Sequence, residues 1–422
     1  MRRPVVTPPA QPPAAPSLSH HTGFIAFLGA RVLALFAQQV QAVVVAWQVY
    51  DLTREPLSLA YVGLAQFLPM LCLLLPAGDL IDRYNRRHIL MVSWTVSGVC
   101  SAMLWWLSGH GHAGVAGIYA VLVLFGCARA FGGPAMQSLL PQIVPRAQLA
   151  QAIATNMMIM RVASIASPVM GGVLYATGGG ELTYAVCLGA FVVGALLLML
   201  VTTTYASARA AAVGTMWQRF GAGIVFIRTR PIILGTISLD LFAVLLGGVV
   251  ALLPIYAAEV LHVGPEGLGA LRSAMAMGEV VAGVILSVRP LQRKVGARMF
   301  LAVAIFGLAN LVFSLSTWFW LSFAALAVAG AADMVSVYIR GALVQFSTPD
   351  EMRGRVNAVN MLFIGSSNEL GEFRAGTSAA AVGAVPAAVL GSLCTLGVVA
   401  AWTRIFKPLR TVDRYEEASP KG

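Results

Sequence analysis

The stretch Gly78-Asp79-Leu80-Ile81-Asp82-Arg83-Tyr84-Asn85-Arg86-Arg87 decides how this chain is read. It is short and polar, carries five charges, and separates apolar runs at 58–77 and 89–107. A run of about 20 apolar residues is what a helix needs to cross about 30 Å of hydrocarbon. A charged loop this tight, between two such runs, fixes which face of a membrane it occupies.

The whole chain fits that setting. Of its 422 residues 58% are hydrophobic and only 11% charged, and the mean hydropathy is +0.80. Soluble domains carry about 45–50% apolar and about 25% charged residues. Working outward from the loop, apolar runs lie at 23–50, 58–77, 89–107, 115–135, 150–176 and 183–206. After a polar stretch they resume at 232–257, 269–288, 299–316, 318–339, 356–379 and 385–405. The expectation is an all-α membrane protein of twelve transmembrane helices in two six-helix halves, 23–206 and 232–405. A disordered, proline-rich tail (1–22), a central linker (207–231) and a C-terminal tail (406–422) complete the division. In the linker Trp217, Phe220, Ile224 and Phe226 alternate with arginines, which fits an interfacial helix or a plain basic connection.

The net charge of +11 would suggest nucleic acid in a soluble protein, but here its placement explains it. Of 28 lysines and arginines, 22 fall on the face of the 78–87 loop, counting both termini and Arg340 at the end of the tenth run. Five lie within spans, and Arg54 alone is on the other face. Basic loops stay in the cytoplasm, so both termini are expected there, and no nucleic-acid partner is. The halves also repeat. At an offset of 204 residues Pro145, Ala154, Asn156, Gly172 and Ala176 meet Pro349, Ala358, Asn360, Gly376 and Ala380, placing the fifth span over the eleventh. Parallel halves with a site between them near mid-membrane are a transporter plan.

In this setting the opening stretch resembles the major facilitator signature G-x-x-x-D-R-x-G-R-R between the second and third spans. Gly78, Asp82, Arg83, Arg86 and Arg87 match, and Asn85 replaces the usual glycine, as a residue that tolerates positive φ. The resemblance implies a latch, in which Gly78 lets the eleventh span approach and Asp82 faces the N-terminus of that helix. Arg129-Ala130-Phe131-Gly132-Gly133 is similar to the superfamily's arginine motif in the fourth span. The segment 163–172, with Ser167, Pro168, Gly171 and Gly172, resembles the G-x-x-x-G-P-x-x-G-G packing motif of the drug-antiporter branch. Ala163 and Ser167 stand there for glycines. Over residues 23–405 the chain looks most like the siderophore-exporter group, chiefly through the tract 141–172.

Charges at membrane depth cost about 2.5–3.5 kcal/mol each, so each needs a partner or a wet cavity. The first half holds only bases, Arg31, Arg129 and Arg161; the second holds Asp240, Glu279, Asp333, Glu369 and Glu372 with Arg272 and Arg374. Arg161 and Glu279 both fall roughly 15 Å deep and are expected to approach each other across the halves. Glu369 and Glu372 share a helical face, and two carboxylates so close resist being ionised together, which suits a proton carrier. That end of the span meeting external water is the alternative. Asp240 is a further proton-coupling candidate. Arg31 and Arg129 fall at comparable depths and are expected to form one basic cavity wall, binding an anionic substrate group or neutralising the acids opposite. Met157, Met158 and Met160 fit an adaptable surface or ordinary packing.

The sequence contains no phosphate-binding loop, no HExxH and no CxxC, and the five cysteines lie inside apolar runs. His110 and His112 have no third ligand near them. No catalytic group, cofactor or metal is expected. The expected function is proton-coupled export of a small organic molecule, a siderophore or drug-like amphiphile, by a monomer in a bacterial cytoplasmic membrane. An importer or lipid flippase of the same fold, or a transport-dead scaffold, is the alternative.

Overall fold

The computed structural model describes residues 21–109, 114–145, 148–203 and 216–418. The expected N-terminal tail, but for its last two residues, His110, His112 and the side chains of Asp82, Trp217 and Arg219 lie outside the described residues. The first four spans are helices Thr22–Thr53, Pro56–Arg83, Arg86–Gly109 and Val115–Ile143. The fifth and sixth run together as Leu149–Met199, broken at Gly178 and Gly179. Gly179 has φ 62° and ψ −163°, a conformation essentially reserved for glycine, which is why the chain turns there. The helix of the sixth span ends at Met199, short of the expected bound at residue 206.

A helix Met216–Thr229 precedes the seventh span, Pro231–Gly247. Past Gly248 the seventh crossing continues only as short turns, Val250–Leu252, Leu253–Ile255 and the wide turn Tyr256–Val260. The eighth to twelfth spans are Gly264–Val288, Val295–Leu315, Phe319–Phe346, Asp350–Val382 and Ala384–Ile405. Ten helices among the described residues are long and apolar enough to cross a membrane, counting Gln151–Met199 once. That helix is two crossings, and Asp350–Val382, too charged for that count, is the twelfth.

Asn85 does not have the positive φ its place in the signature suggests; Arg54, His262 and Lys294 are the described non-glycine residues that do. Its Oδ1 instead accepts a bond from the Arg87 N–H (3.0 Å), capping the third span at its first residue. That is the physical reason an asparagine serves here. The C-terminal segment folds back: Lys407–Thr411 and the turn Tyr415–Ala418 pack at the loop end of the ninth span. There Gly296 N donates to the Val412 carbonyl (3.1 Å) and Lys294 N to Asp413 (3.0 Å).

Each half has its own core. Phe27, Trp94, Tyr184 and Phe191 anchor the first, while Leu239, Met299, Ile339 and Leu343 anchor part of the second. A separate apolar cluster joins the halves, with Val43, Tyr50 and Leu59 against Leu252, Tyr256, Leu268 and Ala375. The contacts between halves gather at the face away from the 78–87 loop. There Gly172 meets the Pro265 backbone in the eighth span, and its repeat partner Gly376 meets Ala60 in the second. Two crossings related by the internal repeat thus close one face with the same small-residue device. Tyr50 also donates to Glu259 across that face.

Candidate transport cavity

A cavity of about 240 Å³ lies between the halves near mid-membrane. Its walls bring Arg129 of the fourth span and Arg272 of the eighth together with Glu369 and Glu372 of the eleventh; glutamines 38, 39, 41 and 66 complete the polar lining. Two guanidiniums face two carboxylates, so the charges balance without leaving any one buried alone. Arg129 donates to Gln66 (3.3 Å). Gly63 on the second span leaves room for both carboxylates: a Cβ there would lie 3.7 Å from a Glu372 oxygen and 3.8 Å from a Glu369 oxygen. The pair therefore faces an interior cavity between the halves rather than the far surface.

Arg374, two residues past Glu372, points the other way. It donates to the carbonyls of Leu245 (3.0 Å) and Gly248 (3.2 Å), where the seventh helix breaks and its last carbonyls lack helical partners. The eleventh span thus carries acids towards the cavity on one face and secures the broken helix with the other.

A second pocket, about 330 Å³, lies nearer the loop face and shares Gln38 with the first. It is lined by Arg31, Asn156, Arg161 and Ser164 with Met136, Met157 and Met160. Arg31 donates to Asn156 Oδ1 (2.8 Å). Arg161 donates to Glu279 (2.7 Å), bridging fifth and eighth spans across the halves. Beside that bridge the Ser273 hydroxyl donates to the Ile165 carbonyl (2.6 Å), and Asp333 of the tenth span lies within electrostatic range of Glu279. Arg31 and Arg129 do not form one wall. They line different pockets, because their helices are rotated so that Arg31 faces the fifth span and Arg129 the second.

Asp240 is not open to the pathway. It is 8% exposed and ion-paired with Arg340, itself 5% exposed, tying the seventh span to the tenth within one half. Arg340, placed at the span's loop end by the sequence, sits inside the helix Phe319–Phe346. Ser167, Pro168, Gly171 and Gly172 pack as a unit. Ser167 returns its hydroxyl to the Ala163 carbonyl (2.6 Å), the Pro168 carbonyl abuts Gly269, and Gly171 abuts Val40. At the loop, Gly78 and Arg83 occupy the last turns of the second span, Arg86 donates to the Ser138 carbonyl (3.2 Å) and Arg87 to the Met199 carbonyl (2.7 Å). Both of these bonds stay within the first half. Arg272, Arg340 and Asp333 are the charged residues the sequence reading left without a role. The seven-residue step from Arg272 to Glu279, two turns along one face, was the available signal.

Paired six-helix halves around a charged mid-membrane cavity define a membrane transporter of the major facilitator type. The chain belongs to the transmembrane secretion effector family of that superfamily, which it matches over residues 14–421. It is a transporter and not an enzyme. It is similar to the enterobactin exporter EntS of Citrobacter koseri, with 27% identity over 356 residues, 81% of this chain and 82% of that protein. The Escherichia coli O1:K1 protein of the same name is 26% identical with the same coverage. Among solved structures, a bacterial homologue of the iron transporter ferroportin in an inward-facing state superposes with a TM-score of 0.70 at 17% identity, over 94% of this chain and all (100%) of that one. A bacterial homologue of the lysosomal transporter Spinster, inward-facing and occupied, gives 0.69 at 16% identity over 96% and 97%.

Proposed function

We propose that this protein is a proton-coupled exporter of a small organic molecule, a siderophore-like or drug-like amphiphile, working by alternating access. The observation that carries this reading is the carboxylate pair Glu369 and Glu372 facing Arg129 and Arg272 in a cavity between the halves. Two carboxylate charges about 6 Å apart repel by about 3 kcal/mol at an effective dielectric near 20. One proton shared by the pair removes that repulsion, and a substrate that donates hydrogen bonds to the ionised carboxylates stabilises the charged form and expels that proton. Substrate and proton are thereby made to alternate.

In this reading the loops rich in arginine and lysine face the cytoplasm, as do both termini, and the membrane is the bacterial inner membrane. The conformation described is then open inward and closed outward. Residues 23–206 and 232–405 rock as two bodies, with a monomer as the working unit. Substrate enters past Arg31 and Arg161 and reaches the Arg129 cavity by way of Gln38. Arg161 and Glu279 hold the inward-open state, and protonating Glu279 weakens that hold. In the opposite state the latch residues Gly78, Asp82, Arg83, Arg86 and Arg87 engage the eleventh span. The protein reconstituted into liposomes under an imposed pH gradient tests the reading. Candidate amphiphiles should move against the proton flow; flux that ignores the gradient, or no flux for any of them, contradicts it.

A further inference from the structure

Five arginines at membrane depth have partners that account for their charge or their hydrogen bonds. Arg161 holds Glu279, Arg340 holds Asp240, and Arg374 holds two carbonyls. Arg129 lies within electrostatic range of Glu369, and Arg272 of Glu372. Arg31 differs. Its bond is to the neutral Asn156 Oδ1, and its Nε is buried without any hydrogen-bond partner. It lies about 14 Å into the first span, where an uncompensated cation is expensive.

The pocket around it has a definite chemistry. One end carries the Arg31 and Arg161 guanidiniums, and no carboxylate among the described residues lines it. The other wall is Leu35, Met136, Met157 and Met160, a flexible, polarisable surface that adapts to flat or irregular apolar groups. Asn156 occupies one Nη of Arg31 and protein encloses the Nε, which leaves the other Nη for a ligand. That Nη can donate a charge-assisted hydrogen bond to a carboxylate or similar oxyanion. A volume of about 330 Å³ is at the lower end of the range for small-ligand sites.

We propose that this pocket is the entry subsite for an amphiphilic organic anion, its acidic group paired with the free Nη of Arg31 and its apolar body on Met136, Met157 and Met160. The subsite gives a substrate class to the transporter and rests on the transport reading for its role. A cation of the same shape meets the uncompensated charge of Arg31 and is rejected.

The test uses the full chain with its five native cysteines replaced and a cysteine introduced by Met157→Cys, a pocket residue that is 59% exposed. Its alkylation by a maleimide is timed in the presence of 2-naphthoate, 2-naphthol or 2-naphthylmethylamine, without any ion gradient. The expected result is protection by 2-naphthoate and none by the amine at equal concentration. Arg31→Gln should weaken the naphthoate effect about 10- to 100-fold, the size of a lost charge-assisted bond, with Arg31→Lys intermediate. An unchanged alkylation rate in the unliganded Arg31→Gln protein shows that the pocket has kept its shape. Equal protection by the amine or the naphthol overturns the proposal, as does full protection in Arg31→Gln. Because no gradient is applied, protection without pH-driven flux contradicts only proton-coupled export, and flux without protection contradicts only the subsite.

Discussion

Breaking the bridge between Arg161 and Glu279 should redistribute the protein between its two conformers. The bond is 2.7 Å long, and the side chains are 42% and 32% exposed, so water screens it in part. Two unit charges about 4 Å apart attract by about 4 kcal/mol at an effective dielectric near 20. Partial desolvation and the ordering of two long side chains take back more than half of that. About 1–2 kcal/mol remains, a factor of about 5 to 30 in the ratio of two states. Spin labels at Ile153 and Ile285, on the loop-side parts of the two bridged helices, report that ratio as a distance distribution. Glu279→Gln should raise the short-distance, loop-closed population by that factor. Arg161→Gln should shift it in the same direction, because it removes the same bond between the halves. The double variant should shift less than the sum of the single ones. A double variant that is additive within about 0.5 kcal/mol refutes the pairing as a conformational lock.

Three further outcomes follow from the same geometry. Asp240→Asn or Arg340→Met alone leaves a buried charge without its partner and should cost about 3–5 kcal/mol, while replacing both by leucine should recover most of that, read by thermal unfolding in detergent. Gly172→Val puts a Cβ 3.0 Å from Glu266 Cα and closer still to the Pro265 carbonyl oxygen, so it should pry open the far face; a cysteine at Val43, now 1% exposed, should become reactive from that side. Gly63→Leu should fill the cavity against Glu369 and Glu372, abolishing transport while leaving expression and melting temperature close to wild type.

The sequence reached some of these features and missed others for reasons of geometry. Hydropathy counts length, so it found twelve crossings, the charged eleventh among them. Depth along a helix is also countable at about 1.5 Å per residue, which is why Arg161 and Glu279 were matched. Rotation of a helix about its axis is not countable without its neighbours. That is why Arg31 and Arg129 were placed on one wall, although one faces Asn156 and the other Gln66. Helix ends are soft by a few residues, and this put Arg340 at a span's end when it lies within the helix, opposite Asp240. Asn85 was read through the family's glycine, whereas its own chemistry, a side-chain acceptor ahead of Arg86 and Arg87, already described a helix cap.

The central claim is that Glu369 and Glu372 share the proton whose movement drives substrate. Proteoliposomes carrying an internal pH-sensitive dye, given substrate with no imposed gradient, measure that coupling directly. Wild-type protein should show a pH change that begins with substrate movement and is opposite in direction to it. Glu369→Gln/Glu372→Gln should still bind substrate but move no protons with it. Substrate-coupled proton movement of wild-type size in that double variant would contradict the account.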